Sequence, residues 1–265
     1  MAESGVALPG GGVRSSEVFA ALSLATDHGT GQAPEHGLRT CLIAVGLAEA
    51  AGIEGDRLED VYYLGLLHSI GCTADAPEAA LLFGDDRAPR AAYTLINPGR
   101  PAEMLGYLWR NVHADAAMPG RLRAFAGAMA SGPGGARASI RNHCEVADRL
   151  AERLSLSERV RQGLWFVLER WDGKGMPRGT AGDEIPVAAR ILHAARDASA
   201  FHTVGGIELV EAMAERSAGA GLEPSIAGLL RSNARELITR ASAEDAWDRV
   251  VAAEPRPRVF HGESL

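Results

Sequence analysis

The chain has 265 residues, of which 46% are hydrophobic, enough apolar material for one large domain or two small ones. Its formal net charge of −7 and isoelectric point near 5.6 exclude attraction to nucleic acids or anionic membranes through overall charge. No apolar run approaches the roughly 20 residues of a membrane span, so we predict no membrane insertion.

The three cysteines, Cys41, Cys72 and Cys144, are widely spaced and form no C-x-x-C pair. This spacing predicts neither a zinc knuckle nor a disulfide framework. An odd cysteine count and an N-terminus without a secretory pattern are typical of a protein in the reducing cytoplasm. We interpret Cys72 and Cys144 as small core residues.

Apolar residues at helical spacing predict a series of helices in the first part of the chain. A first helix is expected over 15–27 and a second over 34–51. Asp56 and Glu59 form a capping pattern for a third helix, which is expected to end at Gly71.

The middle of the chain is expected to be helical as well. The sequence SGPGGA at 131–136 fits a hinge between two helices better than a domain boundary, because it is only six residues long. Ser157 is placed to cap the helix that follows it. The predicted helices cover 101–112, 119–130, 137–154 and 158–171.

Further helices are predicted to the C-terminus, and no stretch alternates like a strand, so the fold class is all-α. Ser242 and Asp245 make a second capping pattern. The predicted helices cover 186–203, 207–216, 224–240 and 243–252. We divide the chain into a flexible N-terminus (1–14), a helical domain (15–205) and a C-terminal helical extension and tail (206–265) packed on the same domain.

The segment ERWDGKGMPRGTAGDEIPVAARILHAARD (169–197) concentrates residues with special backbone behaviour between two predicted helices. Its glycines permit backbone angles that a Cβ forbids, and its prolines fix φ. An ordinary helix–helix connection is one interpretation, and a loop with a defined shape is the other. The residues concerned are Gly173, Gly175, Gly179, Gly182, Pro177 and Pro186.

This segment resembles the signature loop of the HD-GYP family, a branch of the HD metal-dependent phosphohydrolases. Met176 replaces the signature tyrosine. The resemblance implies an HD-domain-like helical bundle with additional C-terminal helices. The matching residues are Glu169, Arg170, Trp171, Asp172, Gly173, Gly175, Pro177, Gly179, Ile185, Pro186, Ala189, Arg190, Ile191 and Asp197.

The resemblance also implies where a metal would bind, since HD proteins hold divalent cations with histidines and aspartates from several helices. Four family positions keep a ligand, namely His36, His68, His143 and Asp197. Three others do not, because Ser69 replaces the bridging aspartate and Val167 and Leu168 replace a histidine pair. One divalent ion (Mn, Fe, Zn or Ni) is therefore the most that the resemblance implies.

Each of these four residues also has an ordinary structural interpretation. His68 lies on an apolar helix, where a carbonyl group commonly satisfies a buried histidine, and His36 fits a polar helix start. His143 fits a solvated position, and Asp197 can pair with Arg196 or Arg190. We interpret the remaining histidines as structural or surface residues: His28, His113, His193, His202 and His261.

Arg190 and Lys174 are the cations that we place beside a phosphate group, because arginine offers a fork that matches phosphate oxygens. The alternative, which we favour for Arg190, is an ion pair with Asp172, Asp183 or Glu184 that braces the loop. The loop residues implied by the resemblance are Trp171, Asp172, Gly173, Gly175 and Pro177.

Two functions follow from the resemblance. The first is a metal-dependent phosphodiesterase, with a cyclic dinucleotide such as cyclic di-GMP as the implied substrate. The second, which we favour, is a degenerate regulatory or sensor module that keeps the fold without full activity. An iron-dependent oxygenase ranks third, because it needs more ligands than the chain offers.

The segments GTGQAPEHGLRT (29–40) and DVYYLGLLHSIGCTADA (60–76) further resemble the N-terminal region of bacterial regulators that end in a LuxR-type helix-turn-helix. No helix-turn-helix is visible in this chain, so we predict no direct nucleic-acid binding. A nucleotide or small phosphorylated molecule is the implied ligand. A homodimer stays an open alternative.

Overall fold

The computed structural model describes residues 12–74, 76–85 and 87–260, without the side chain of Pro133. The predicted all-α class is confirmed in these residues. The helices are α1 (Ser15–Thr30), α2 (His36–Ala50), α3 (Asp56–Leu67), α4 (Ala76–Phe83), α5 (Arg87–Tyr93), α6 (Pro101–Asn111), α7 (Met118–Arg153), α8 (Glu158–Leu164), α9 (Val187–Ser217), α10 (Pro224–Ser242) and α11 (Ala246–Ala252). A 3-10 turn, Gly182–Glu184, precedes α9.

Helix α2 lies at the centre of the bundle and packs against α3, α9 and α10. Small residues allow this close approach. A Cβ added at Gly65 of α3 would lie 3.0 Å from the Cα of Cys41 on α2, and one added at Gly46 would lie 2.5 Å from a methyl group of Leu237 on α10. The helix therefore buries apolar side chains on several faces and serves as the axis of the core.

The core has two parts that meet along α2. One part joins α1, α3, α8 and α11 through large side chains such as Phe19, Tyr62 and Leu164. The other joins α2, α9 and α10 through residues such as Leu47 and Leu230. Helices α9 and α10 thus share the core of the helices that precede them.

Two of the long helices are interrupted where the sequence predicted a break. Gly132 has φ 56° and ψ −165° inside α7, within the predicted hinge at 131–136. Gly205 and Gly206 interrupt α9, between its predicted halves. At Gly206 (φ 71°) the backbone takes a conformation that L side chains rarely adopt, which explains the glycine there.

Helix starts were predicted less well than helix positions. Ser157 caps α8 as expected, its Oγ accepting from the Val160 N–H at 3.2 Å. The capping patterns predicted to start at Asp56 and at Ser242 are wrong, because neither helix start has a side-chain cap hydrogen bond and Ser242 is still the last residue of α10. Gly55 occupies the cap of α3 with φ 59°, so Asp56 is already helical, and its carboxylate pairs with Arg256.

Two predicted helix ends also shift. Helix α3 ends at Leu67 and turns lead on to Gly71, while α8 ends at Leu164 instead of 171. Residues 1–11 of the predicted flexible segment 1–14 lie outside the described residues. Val13 and Arg14 form strand β1 (Val13–Arg14), which pairs antiparallel with β2 (Val259–Phe260) in the predicted tail.

The buried carboxylate of Glu254 fastens the start of α1 to the segment after α11. It accepts hydrogen bonds from Ser15 Oγ (2.5 Å), Ser16 Oγ (2.8 Å) and Tyr63 Oη (2.9 Å). Arg14 adds an ion pair at 3.2 Å. This Glu254 clasp satisfies a buried charge with four donors, as a buried carboxylate requires.

In the part of the chain that the structure describes, no helix combines the length and apolar character needed to cross a membrane.

Candidate functional site

His36 and His68 lie side by side in the core, as the resemblance implies. His36 is the first residue of α2 and His68 directly follows α3, and the packing of these helices brings their ring centroids to 5.8 Å. Both side chains are buried. His36 Nδ1 is 3.1 Å from Ser199 Oγ on α9, and His68 Nδ1 is 2.7 Å from the Gly65 carbonyl oxygen.

Both histidines are uncharged at neutral pH. Burial lowers the pKa of His36 to about 3, with the neighbouring His68 and the Arg196 charge adding to this effect. Burial likewise lowers the pKa of His68 to about 4, although its bond to the Gly65 carbonyl opposes the shift. Because a carbonyl only accepts, neutral His68 carries its proton on Nδ1 and presents a lone pair at Nε2.

Asp197 of α9 pairs with its neighbour Arg196, one of the two partners that the sequence left open. Its Oδ1 accepts from Arg196 Nε at 3.2 Å and from Nη2 at 3.0 Å. The third nitrogen of the guanidinium donates to the Val167 carbonyl at 2.7 Å. Burial raises the pKa of the Asp197 carboxyl, and Arg196 opposes that shift.

Arg196 is the residue that sequence reasoning missed. Its charge lowers the pKa of His36, of His68 and of His193, so the guanidinium lies within electrostatic reach of all three rings. The signal was present in the sequence, since Arg196 adjoins Asp197, but it was weighed only as a partner for that aspartate.

His193 is structural, as predicted, and its role is specific. It is buried on α9, and its Nε2 donates to the Phe166 carbonyl at 2.7 Å. Burial lowers its pKa to about 3. His193 and Arg196 together hold two consecutive carbonyls, those of Phe166 and Val167, in the segment where the family has its histidine pair.

His143 approaches the site through its backbone. A Cβ added at Gly71 would lie 2.2 Å from the His143 carbonyl oxygen, so this turn of α7 packs directly on the segment that follows His68. Among the described residues, no three His, Cys, Asp or Glu side chains are arranged to hold a metal ion. Two neutral imidazoles are suitable donors, but the nearby carboxylate is neutralised by a guanidinium, so the residues do not fit a divalent cation in this arrangement.

The Gly/Pro-rich segment is a loop of defined shape. The buried Glu169 carboxylate accepts from the backbone N–H groups of Arg178 (2.7 Å), Gly179 (3.1 Å) and Thr180 (3.1 Å). Burial raises the pKa of Glu169, and these three bonds oppose the shift. A Cβ on Gly175 would lie 2.4 Å from the Glu169 Cα, so only glycine allows this approach.

Arginines brace the same loop from both sides. Arg170 forms a two-pronged pair with Asp172, at 3.0 Å and 2.9 Å. Arg190 pairs with Asp183 at 3.0 Å and, unpredicted, with Glu223 of the segment before α10 at 2.8 Å. Its guanidinium lies 5.7 Å from the Trp171 ring centroid. The bracing role that we favoured for Arg190 is therefore observed, whereas Lys174 is exposed.

The fold and the site together define a class. Residues 135–219 match the HD domain family, a stretch that contains His143, the loop and Asp197 but not His36 or His68. The whole architecture is that of an all-α HD-domain bundle.

One curated relative is the 3′3′-cGAMP-specific phosphodiesterase 3 of Vibrio cholerae, 27% identical over 208 residues, which cover 78% of this chain and 45% of the relative. A crystal structure described as the V. cholerae cyclic GMP-AMP-specific phosphodiesterase V-cGAP3 superposes with a TM-score of 0.71 at 21% identity, over 96% of this chain and 57% of that one. The chain thus spans about half the length of the proteins it matches.

Proposed function

We propose that this chain is a regulatory module with the HD-domain fold, which binds a phosphorylated nucleotide without full phosphodiesterase turnover. The observation that carries the proposal is the position of Arg196. Its guanidinium is bonded to Asp197, and its charge acts on His36 and His68.

A metal ion bound at the histidine pair would be repelled by the Arg196 guanidinium. Two unit positive charges 4 Å apart repel by about 4 kcal/mol at an effective dielectric constant of 20, and a dication roughly doubles this. The imidazole pair itself supplies no negative charge, and the buried Asp27 carboxyl, bonded to the Gly37 N–H at 2.9 Å in the first turn of α2, has its pKa raised to about 7 by burial. A metal would first have to displace Arg196 from Asp197 and from the Val167 carbonyl.

The second candidate is a metal-dependent phosphodiesterase. Its support is the similarity to the V. cholerae 3′3′-cGAMP-specific enzyme together with the HD domain match. Under this alternative His36, His68, His143 and Asp197 would hold one divalent ion (Mn, Fe, Zn or Ni). It requires a rearrangement that frees Asp197.

The test measures metal, binding and turnover on the same protein. Chain purified without chelators or metal columns is analysed for Mn, Fe, Zn and Ni, and then titrated with 3′3′-cGAMP and cyclic di-GMP in the presence of each ion. We expect well under one metal per chain, and nucleotide binding without hydrolysis. Stoichiometric metal that His68→Ala and Asp197→Ala both remove, with hydrolysis, would overturn the proposal in favour of the second candidate.

Arg196→Gln sharpens this test, because glutamine keeps a donor for the Val167 carbonyl but removes the charge. We expect this variant to bind Mn or Zn at least tenfold more tightly than the wild type. The matched control is Arg235→Gln on the exposed part of α10, which removes one charge elsewhere and should leave metal affinity unchanged.

Two partner assignments belong to the same proposal. The acidic balance of the chain supports no direct nucleic-acid binding, and tight, salt-sensitive retention of duplex DNA would contradict it. The resemblance to LuxR-type regulators supports a homodimer as the assembly to test, by light scattering over a range of concentrations.

A further inference from the structure

We propose that a surface cleft beside the Glu169 loop is a nucleotide site, with an aromatic platform for the base and an arginine for the phosphate. The cleft has a volume of about 320 Å³ and is lined by Gln162, Trp165, Phe166 and Arg178. Its location follows from the geometry below, whereas the ligand class rests on the proposed function.

The Arg178 guanidinium covers two aromatic rings. Its Cζ lies 4.9 Å from the Trp165 centroid and 5.8 Å from the Phe166 centroid. An arginine placed over an aromatic ring still has N–H groups that suit phosphate oxygens. Arg178 is exposed and Trp165 and Phe166 are partly exposed, so the cleft offers surfaces on which a nucleobase can stack.

The charge of Arg178 is available for a ligand. Among the described residues, no carboxylate oxygen lies within ion-pair distance of its guanidinium. Glu169 interacts electrostatically with Arg178, but its carboxylate is bonded to the backbone N–H groups of residues 178–180. An anion in the cleft would therefore meet an arginine that has no competing ion pair.

The walls of the cleft are fixed from beneath. The Arg178 backbone is held by Glu169 at 2.7 Å, and the Phe166 carbonyl by His193 at 2.7 Å. When the walls of a site are already ordered, ligand binding costs less conformational entropy. This rigidity separates the cleft from an accidental contact of mobile side chains.

A second surface cleft provides the contrast. It is larger, about 460 Å³, but it lies on the face of α10 alone and has no aromatic wall; its lining is Ser232, Asn233, Arg235, Glu236, Thr239 and Arg240. It contains a carboxylate, and Arg240 is already within 3.6 Å of Glu49. Size alone would select this cleft, whereas chemistry selects the one at Arg178.

The backbone beside the nucleotide cleft is bonded to two residues of α9, His193 and Arg196. Phe166 is a wall of the cleft, its carbonyl is bound by His193, and the next carbonyl, that of Val167, is bound by Arg196. A base stacked on Phe166 would contact the residue next to Val167, whose carbonyl accepts from the Arg196 guanidinium.

The experiment is calorimetric titration of the full chain with cyclic di-GMP, GMP and orthophosphate. We expect Arg178→Gln to weaken all three probes by about tenfold or more, because each contains phosphate. Trp165→Leu should weaken cyclic di-GMP and GMP by a similar factor and leave orthophosphate unchanged. Arg178→Lys, which keeps the charge but not the fork, should fall between wild type and Arg178→Gln.

Arg235→Gln is the charge-matched control and should bind as the wild type does, and thermal melting of every variant checks its folding. If Arg178→Gln and Trp165→Leu bind normally while Arg196→Gln does not, the nucleotide sits at the histidine pair. That result overturns the cleft and leaves the proposed function standing. If the wild type binds none of the three probes, the proposed function fails together with its ligand class.

Discussion

Helix α9 contacts both the Glu169 loop, through Arg190, and the histidine pair, through Ser199, yet the charges of these two regions are arranged in opposite ways. In the loop, carboxylates and arginines satisfy one another or the backbone, and the result is a rigid shape. In the histidine pair, two neutral rings face a guanidinium that holds the nearby carboxylate. The charges of the loop fix its backbone, whereas at the histidine pair the Asp197 carboxylate is held by Arg196.

This difference indicates which kind of change the architecture tolerates. Replacing a loop residue disturbs hydrogen bonds that fix the backbone, so the loop is constrained by stability. Replacing a metal ligand changes activity but can leave stability intact, provided that the buried charge finds a partner, as Asp197 does in Arg196. The predictions below test this contrast.

The largest effect is expected from Glu169→Ala. The substitution removes the buried carboxylate that three loop N–H groups share as their acceptor, and we expect it to lower the free energy of unfolding by about 3–5 kcal/mol. Urea denaturation followed by circular dichroism measures the change.

Glu158→Ala is the control, since Glu158 is largely exposed on α8 and its ion pair with Arg161 is at the surface. This change should cost at most about 1 kcal/mol. Equal losses for the two glutamates would mean that the loop is not fixed by its buried carboxylate.

Glycine substitutions test the same contrast without charge. Gly175→Ala places a Cβ 2.4 Å from the Glu169 Cα, so we expect a loss of about 2–3 kcal/mol. Gly127→Ala in α7 meets nothing within 4 Å and should stabilise the protein by about 0.5–1 kcal/mol through helix propensity. Opposite shifts of the melting temperature are the expected result, and shifts of the same sign would contradict it.

The histidines predict a dependence of stability on pH. Burial lowers the pKa of His193 to about 3 in the folded state, against about 6.5 in the unfolded chain. Below pH 6.5 the unfolded state therefore binds more protons, and stability falls as the pH drops towards 3. For one such group the slope approaches about 1.4 kcal/mol per pH unit.

His193→Gln isolates this term, because glutamine can still donate to the Phe166 carbonyl and does not titrate. The slope between pH 4 and pH 6 should decrease by about 1 kcal/mol per unit relative to the wild type. Burial raises the pKa of Asp27 to about 7, which contributes in the opposite sense, so the difference between the two proteins is the informative quantity. An unchanged slope would show that His193 does not stay neutral.

The smallest effects concern the two cations predicted beside a phosphate. Arg190→Ala removes pairs to Asp183 and Glu223 and should cost about 1–2 kcal/mol. Lys174→Ala should change stability by less than about 0.5 kcal/mol, because this side chain is exposed. If Lys174→Ala strongly lowers nucleotide affinity in a calorimetric titration, Lys174 is a phosphate ligand as first predicted.

Much of the fold was predictable because the signals were local. Helical spacing identified the major helices, and the breaks at Gly132 and Gly206 follow from the freedom of glycine. Helix caps were less predictable, since Asp56 and Ser242 begin capping patterns that the local backbone does not use. The pairing of β1 with β2 was invisible, because it joins short segments that are more than 240 residues apart.

The site, like the fold, has features that the sequence predicted and features that it did not. The proximity of His36 and His68 was implied by the family positions, and the defined shape of the loop by its glycines and prolines. The role of Arg196 was not predictable, because one sequence cannot tell whether a guanidinium beside Asp197 points to solvent or into the core. The bond from His193 to the Phe166 carbonyl was not predictable for the same reason, since α9 buries more than one face.

The Glu254 clasp has a consequence for how the protein is made. Arg14 and Glu254 are separated by 240 residues. At a synthesis rate of about 5–20 residues per second, the ribosome needs roughly 12–48 seconds to produce Glu254 after Arg14. During that interval α1 can pack on α2 and α3, but its first residues lack the carboxylate that fixes them. Phe19 packs edge-on against Tyr63 and Phe260, so its packing is complete only after the C-terminal segment has been made.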